Sequence, residues 1–274
     1  MLNFRPFLCA VSFVLLTFVP SVAQTPVTCG QELDAPGLYV LTGDLGCGIS
    51  IFIKSDNVTL DLQGHTLSNT SGNPITGIIT GQRYGAPTQV TTRGTRILNG
   101  TITGFGTAIA LGGPVGPAIP RTTDAQIHHV SATGNQRGIL VGYASGVMIH
   151  NNVITDNARL DPGDDSLPYG FGIAAFDLID SQIKNNVVTG NSSDGIALRA
   201  KSSDNTLMKN TASSNGRYGI LLSTFGGPST DNVIKNNDAL SNATLDLMDQ
   251  NPSCDDNIWK KNTFETSDPA ACIF

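Results

Sequence analysis

The stretch Gln182-Ile183-Lys184-Asn185-Asn186 decides the fold, because it comes back three times. It returns as Thr206-Leu207-Met208-Lys209-Asn210, as Val233-Ile234-Lys235-Asn236-Asn237 and as Ile258-Trp259-Lys260-Lys261-Asn262. A second Asn follows five residues after three of these, at Asn191, Asn215 and Asn242, and Gly195-Ile196 and Gly219-Ile220 close two units. The Asn-to-Asn period of roughly 24 to 27 residues is that of a solenoid, in which side chains line up from coil to coil. Within one unit Ile183, Val188 and the pair Ile196 and Leu198 mark three short segments of period-two alternation. Such segments are strands with those residues on one side. The Asn and Gly residues between them tolerate left-handed backbone and suit sharp corners. Three strands per turn in fixed register predict an all-β parallel β-helix with Ile, Leu and Val inside and Asn ladders at the corners. A helical solenoid fails, since no window sustains apolar residues at i, i+3 and i+4.

Working outward, the unit runs back almost to the start. Val147-Met148-Ile149-His150-Asn151-Asn152 leads to Asn157, and Ala125-Gln126-Ile127-His128-His129-Val130 leads to Asn135 and Gly138-Ile139. Arg96-Ile97-Leu98-Asn99-Gly100 and Leu60-Asp61-Leu62-Gln63-Gly64 are earlier versions. Two insertions break the rhythm, at 112–123 and 158–170, and both flank the Gly-Ile strand. The expected layout is a signal peptide over 1–23, an N-terminal cap over 24–56, coils over 57–250, and a last coil with a cap over 251–274.

Arg5, an apolar run from about Phe7 to Val19, and Pro20-Ser21-Val22-Ala23 have the order of a secretory signal. The expectation is therefore a secreted or periplasmic protein without membrane insertion. Losing Arg5 moves the formal charge from −6 to −7. So acidic and charge-poor a chain is a poor partner for nucleic acid. Beyond Cys9 the cysteines are Cys29, Cys47, Cys254 and Cys272. An even number in an exported chain predicts disulfides, and pairing within each end is the simplest of three connectivities. Solenoid ends need covers, and the cysteine-bearing segments sit there. In register, Trp259 replaces Ile183 and is expected to plug the last coil.

The Ile-x-x-Asn and Gly-Ile repeats, with the opening Asn57-Val58-Thr59-Leu60-Asp61-Leu62-Gln63-Gly64-His65-Thr66, resemble the right-handed parallel β-helix repeat proteins with the pectin-lyase-like fold. The resemblance covers most of the chain after the signal. It implies a single-stranded right-handed parallel β-helix, and a superfamily of polysaccharide lyases, glycoside hydrolases, uronate epimerases, adhesins and a periplasmic copper-related accessory protein. Its repeated residues are core and corner residues, so they carry fold and not function. The polygalacturonase segments are poorly matched by Asp164-Asp165, Gly64-His65-Thr66 and Gln182-Ile183-Lys184, and the epimerase motif is only echoed by Asp161-Pro162-Gly163-Asp164.

Columns read across coils say more. One runs His128, His150, Lys184, Met208, Lys235, Lys260, a mostly basic stripe suited to an anionic polysaccharide; a solvated face is the plainer reading. His150, Lys184, Lys235 and Lys260 are its candidate substrate-binding residues. His128 and His150, with His129 or Met148 nearby, have donor chemistry for a metal, although the column lacks a carboxylate and no metal site is assigned. A second column, Ala110, Leu140, Ala174, Ala197, Leu221, points outward yet is apolar, so a cover is expected. Beyond it, Asp177 and Arg199 are expected to pair, and Lys201 follows. With Asp164, Asp165 and Tyr169 they form the candidate catalytic set. Uronate β-elimination needs charge neutralisation, a base and an acid, for which Arg199, Lys201 and Tyr169 are the types. Hydrolysis needs two carboxylates, such as Asp164 and Asp177. Asp161, Asp164 and Asp165 also suit calcium. Two classes thus stand: a carbohydrate-binding or carbohydrate-modifying protein of lyase or hydrolase type, and a noncatalytic envelope scaffold. Either is expected to be a monomer.

Overall fold

The computed structural model of the chain describes residues 23–81, 90–112, 121–158, 170–254 and 256–274. The signal-like segment up to residue 22, and Asp161, Asp164, Asp165 and Tyr169, lie outside the described residues. Strand pairing is parallel throughout, and each strand pairs with its equivalent one coil away. One sheet carries Gly37–Val40, Val58–Asp61, Arg96–Thr103, Gln126–Thr133, Met148–His150, Gln182–Lys184, Thr206–Met208, Val233–Lys235 and Ile258–Lys260 in that spatial order. Another carries Ile51–Ile53, Thr76–Thr80, Thr107–Leu111, Ile139–Ser145, Ile173–Ile179, Ile196–Arg199, Tyr218–Leu222 and Leu245–Asp249. A third, narrower face passes through Val153–Thr155 and Val187–Thr189 and continues as single bridges through Thr211, Asp238 and Thr263. The spatial order is the order in the chain, as one strand per face per turn requires.

The core follows from alternation. On the first face Leu60, Ile97, Ile127, Ile149, Ile183, Leu207, Ile234 and Trp259 stack in register and are buried. The Gly-Ile face contributes Ile51, Ile78, Ile109, Ile139, Ile173, Ile196, Ile220 and Leu247. Glycine precedes the isoleucine because the chain is crowded there. A Cβ on Gly195 would lie 2.6 Å from Asn215 Nδ2 and 2.7 Å from the Gly219 carbonyl oxygen.

Three asparagine ladders brace the corners. Asn152, Asn186, Asn210, Asn237 and Asn262 form one, in which each backbone N–H and side-chain amide donates to the next Oδ1 at 2.9–3.1 Å. Asn135, Asn157, Asn191, Asn215 and Asn242 form the second, which ends on Asp246. Asn205, Asn232 and Asn257 form the third, which ends on Asp249. Each link satisfies buried donors that a corner would otherwise orphan. The residue before the first ladder is left-handed at Asn151, Asn185, Lys209, Asn236 and Lys261.

Both ends are stapled locally. Cys29 is bonded to Cys47, and Cys254 to Cys272, each across 18 residues. Trp259 is buried and donates its indole N–H to Asp249 Oδ2 at 2.9 Å, so the expected plug also anchors a carboxylate.

Candidate functional site

The face built on Gln182–Lys184 presents three outward columns. At its C-terminal edge His128, His150, Lys184, Met208, Lys235 and Lys260 pair in sequence, one per coil. The left-handed corner next to them adds His129, Lys209 and Lys261, all exposed. Lys209 supplies the charge that Met208 omits. Six successive coils therefore each hold a basic or imidazole side chain on this edge, about 4.8 Å apart. That spacing is inside a Debye length at physiological salt, so their fields add.

The opposite edge went unread in the sequence. Asp124, Asp180, Asp204, Asp231 and Asp256 occupy the left-handed corner two residues before the strand, with Gly146 in the remaining coil. All five aspartates are exposed. The recurring Asp-x-x-[Ile/Leu/Trp] spacing was the available signal. Asp124 pairs with Arg93 at 2.9 Å, whereas Asp180, Asp204, Asp231 and Asp256 have no ion pair among the described residues. Between the two edges runs the column Gln126, Met148, Gln182, Thr206, Val233, Ile258. Acidic and basic columns lie four residues apart along each strand, about 13 Å, too far to neutralise each other within the chain.

Three of the four histidines gather at one end of the basic edge. The His128 and His150 rings stack at 4.9 Å and 14°, and His128 Nδ1 lies 2.9 Å from His129 Nδ1. Burial, with neighbouring cations and imidazoles, holds both His128 and His150 below the ordinary value of 6.5. At neutral pH the lysines supply the positive charge.

Of the candidate catalytic residues Asp177, Arg199 and Lys201 are described, and the first two take partners other than each other. Asp177 accepts from Arg121, whose Nη2 lies 2.7 Å from its Oδ1 and whose Nη1 donates to its carbonyl at 2.6 Å. Arg121 also lies 4.2 Å from the Tyr143 ring centre. Arg199 aligns with Phe176, one position from Asp177, but turns back along its own strand to Asp194 at 2.8 Å. The expected Asp177–Arg199 pair is therefore replaced by two separate ones. Asp194 is fully buried and also takes Arg217 Nε at 2.6 Å. Arg199 stacks on Phe171 and Arg217 on Tyr218, each 4.9 Å from the ring centre. Desolvation lowers the Arg199 pKa despite Asp194; at Arg217 desolvation also opposes the charge, but the bonds to Asp194 outweigh it and the net shift is upward. Lys201 is exposed, left-handed and packed beside Gly227.

The apolar outward column keeps its expected register, and Ala174, Ala197 and Leu221 are indeed covered.

The chain matches the family described as NosD, periplasmic copper-binding protein, over residues 49–268. It belongs to the NosD family. Among curated proteins none matches the sequence. In fold the chain is similar to the Dettilon tailspike protein (TM-score 0.62, 16% identity, 82% of this chain and 44% of that one). It is also similar to the periplasmic alginate epimerase AlgG (TM-score 0.58, 14% identity, 83% and 50%). XylC, solved in complex with xylose, is a third (TM-score 0.52, 15% identity, 83% and 38%). The chain thus spans half or less of the length of these structures, and at such identity the likeness is one of fold.

The family description raises copper. Among the described residues no three His, Cys, Asp or Glu side chains converge as a metal-binding group. Cys29, Cys47, Cys254 and Cys272 are consumed in disulfides, which removes the soft thiolates copper favours. His128, His129 and His150 gather with ring centres 4.9–6.3 Å apart, but they do not form a metal-holding set of three. The described residues thus show no set fitted to copper, and the aspartates named for calcium lie outside them. No helix of the described chain is long and apolar enough to cross a membrane.

Proposed function

We propose that this protein is a periplasmic or secreted binding scaffold for an anionic, uronate-containing polysaccharide, held along the basic edge. The observation that carries the reading is the lysine-rich edge over four successive coils. Lys184, Lys209, Lys235, Lys260 and Lys261 repeat with the coils, so a linear polyanion laid along the solenoid meets a cation at each step. Single contacts of this exposed kind are weak, about 0–1 kcal/mol each, and the repeat supplies avidity. His150 extends the track toward the histidine cluster. The described side chains nominated for chemistry favour binding over turnover: Asp177 and Arg199 are engaged in internal ion pairs, and Lys201 stands at a separate corner.

The test is retention on immobilised polygalacturonate or alginate across a salt gradient. Retention should weaken with salt, and Lys184→Ala/Lys235→Ala/Lys260→Ala should elute markedly earlier. Unchanged elution of the triple variant would dismiss the basic edge. The same polymers, assayed separately for new unsaturated ends and new reducing ends, test lyase and hydrolase activity. Turnover that survives the lysine changes and fails on Asp177→Asn or Lys201→Ala would move the function to the other face.

A further inference from the structure

The face that carries the basic edge is self-complementary. Along three of its strands it reads aspartate, neutral residue, base: Asp180, Gln182, Lys184; then Asp231, Val233, Lys235; then Asp256, Ile258, Lys260. The coil between holds Asp204 and Thr206 with Lys209 at the corner, and the first holds Asp124, Gln126 and His128. The neutral residue is two positions from each charge. It therefore marks the midline, and on it Ile258 is half exposed at 48%.

We propose that this face docks a second copy of the chain, related by a two-fold axis that runs parallel to the solenoid over the Gln182–Ile258 midline. Rotation about that axis exchanges the two edges and preserves position along the solenoid. Every aspartate corner of one copy then faces the basic edge of the other, coil for coil, because both share one repeat. Rotation about an axis along the strands would set Asp against Asp and Lys against Lys, and is repelled. Met148, Val233 and Ile258 meet their own counterparts at the midline. A C2 contact must match a surface to itself, and this face does so in charge, spacing and apolar centre.

Charge complementarity names the occupant. Asp180, Asp204, Asp231 and Asp256 stand stacked at about 4.8 Å with no cation of their own chain among the described residues. That arrangement repels itself until a matching cationic ladder arrives, and the same chain carries one. The footprint, about 25–30 Å of solenoid by 13 Å of strand, is smaller than a standard interface of about 800 Å² per partner. The dimer is accordingly weak and salt-sensitive. The lysines it uses are those offered to a polyanion, so polymer and second copy compete.

The experiment is a charge swap read by sedimentation velocity at low and at physiological salt. The wild type should self-associate reversibly at low salt and dissociate as salt rises. Lys184→Glu/Lys235→Glu/Lys260→Glu should be monomeric, and so should Asp180→Lys/Asp204→Lys/Asp231→Lys. Mixed one to one they should associate again at roughly wild-type strength, because the reversed positions 184 and 235 of one variant then face the reversed positions 180 and 231 of the other, while Asp180 and Asp231 of the first still face Lys184 and Lys235 of the second. Lysine is compatible with the left-handed corner, as Lys209 and Lys261 already occupy one. Circular dichroism checks that both variants fold. A wild type that stays monomeric at low salt, association that survives either reversal, or a mixture that does not associate would each overturn the proposal. The polysaccharide reading fails separately: the aspartate-reversed variant keeps its lysines and should be retained on polygalacturonate at least as strongly as wild type, whatever its oligomeric state.

Discussion

Asp194 has no solvent exposure and faces two guanidiniums, of which Arg199 is itself buried. Removing the carboxylate strands a buried cation, so Asp194→Ala should destabilise by about 3–5 kcal/mol, read from the midpoint of urea unfolding. Arg217 is partly exposed, and Arg217→Ala should cost clearly less. The histidines set a different expectation. Burial lowers the pKa of His128 and His150 from 6.5, so both are neutral at pH 7 and take up protons only as the pH falls below that value. Carboxylates stay ionised above about pH 5. Retention on polygalacturonate should therefore rise as the pH falls below 6.5, and the rise should shrink in His128→Gln/His150→Gln. A rise of equal size in that variant would count against a histidine contribution.

Among the elements, the asparagine ladders dominate. Asn210 accepts from the Asn186 backbone and side-chain N–H groups and donates to the Ile183 carbonyl and Asn237 Oδ1. Asn210→Ala leaves several buried groups unpaired at about 1–3 kcal/mol for each. It should cost more than Asn262→Ala at the ladder's end, in the same unfolding assay. The two aspartates that terminate ladders act with opposite sign. Burial raises the Asp249 pKa despite its bonds to Trp259, Asn251 and Asn257. At Asp246 burial also pushes upward, but hydrogen bonds from Glu265, Asn242 and Thr266 outweigh it and lower the pKa below 3.8. A depressed carboxylate contributes stability above its unfolded value that is lost as pH falls through the folded one. The stability gap between wild type and Asp246→Asn should thus be full at neutral pH and shrink below about pH 4.

Across the whole molecule, each coil rests on its neighbours, so the ends are the weak points. The bridges Cys29–Cys47 and Cys254–Cys272 close loops of 18 residues there. On the chain-entropy estimate each is worth about 3 kcal/mol. Reduction should speed amide exchange first in the terminal coils, while Ile149, Ile183 and Leu207 in the centre stay protected. Uniform loss of protection would mean that the solenoid unfolds as one unit.

The repeat Ile-x-x-Asn was legible because a solenoid converts linear period into spatial stacking. It set the inward columns, the corner asparagines, the plug at Trp259 and the register of the basic stripe before any coordinate was known. The sequence could not decide where long side chains turn once they leave the backbone. Arg199 sits one register position from Asp177, and adjacency suggested a pair; in the fold Arg121 holds Asp177 from 56 residues away, and Arg199 bonds to Asp194. Nor did it draw out the aspartate edge, whose members look like ordinary turn residues until the corner stacks them. Sequence alone thus determined the architecture, because backbone period and side-chain alternation are local properties. Only the tertiary structure decided the charge pattern, because ion pairs form between residues that are close in space and far apart in the chain.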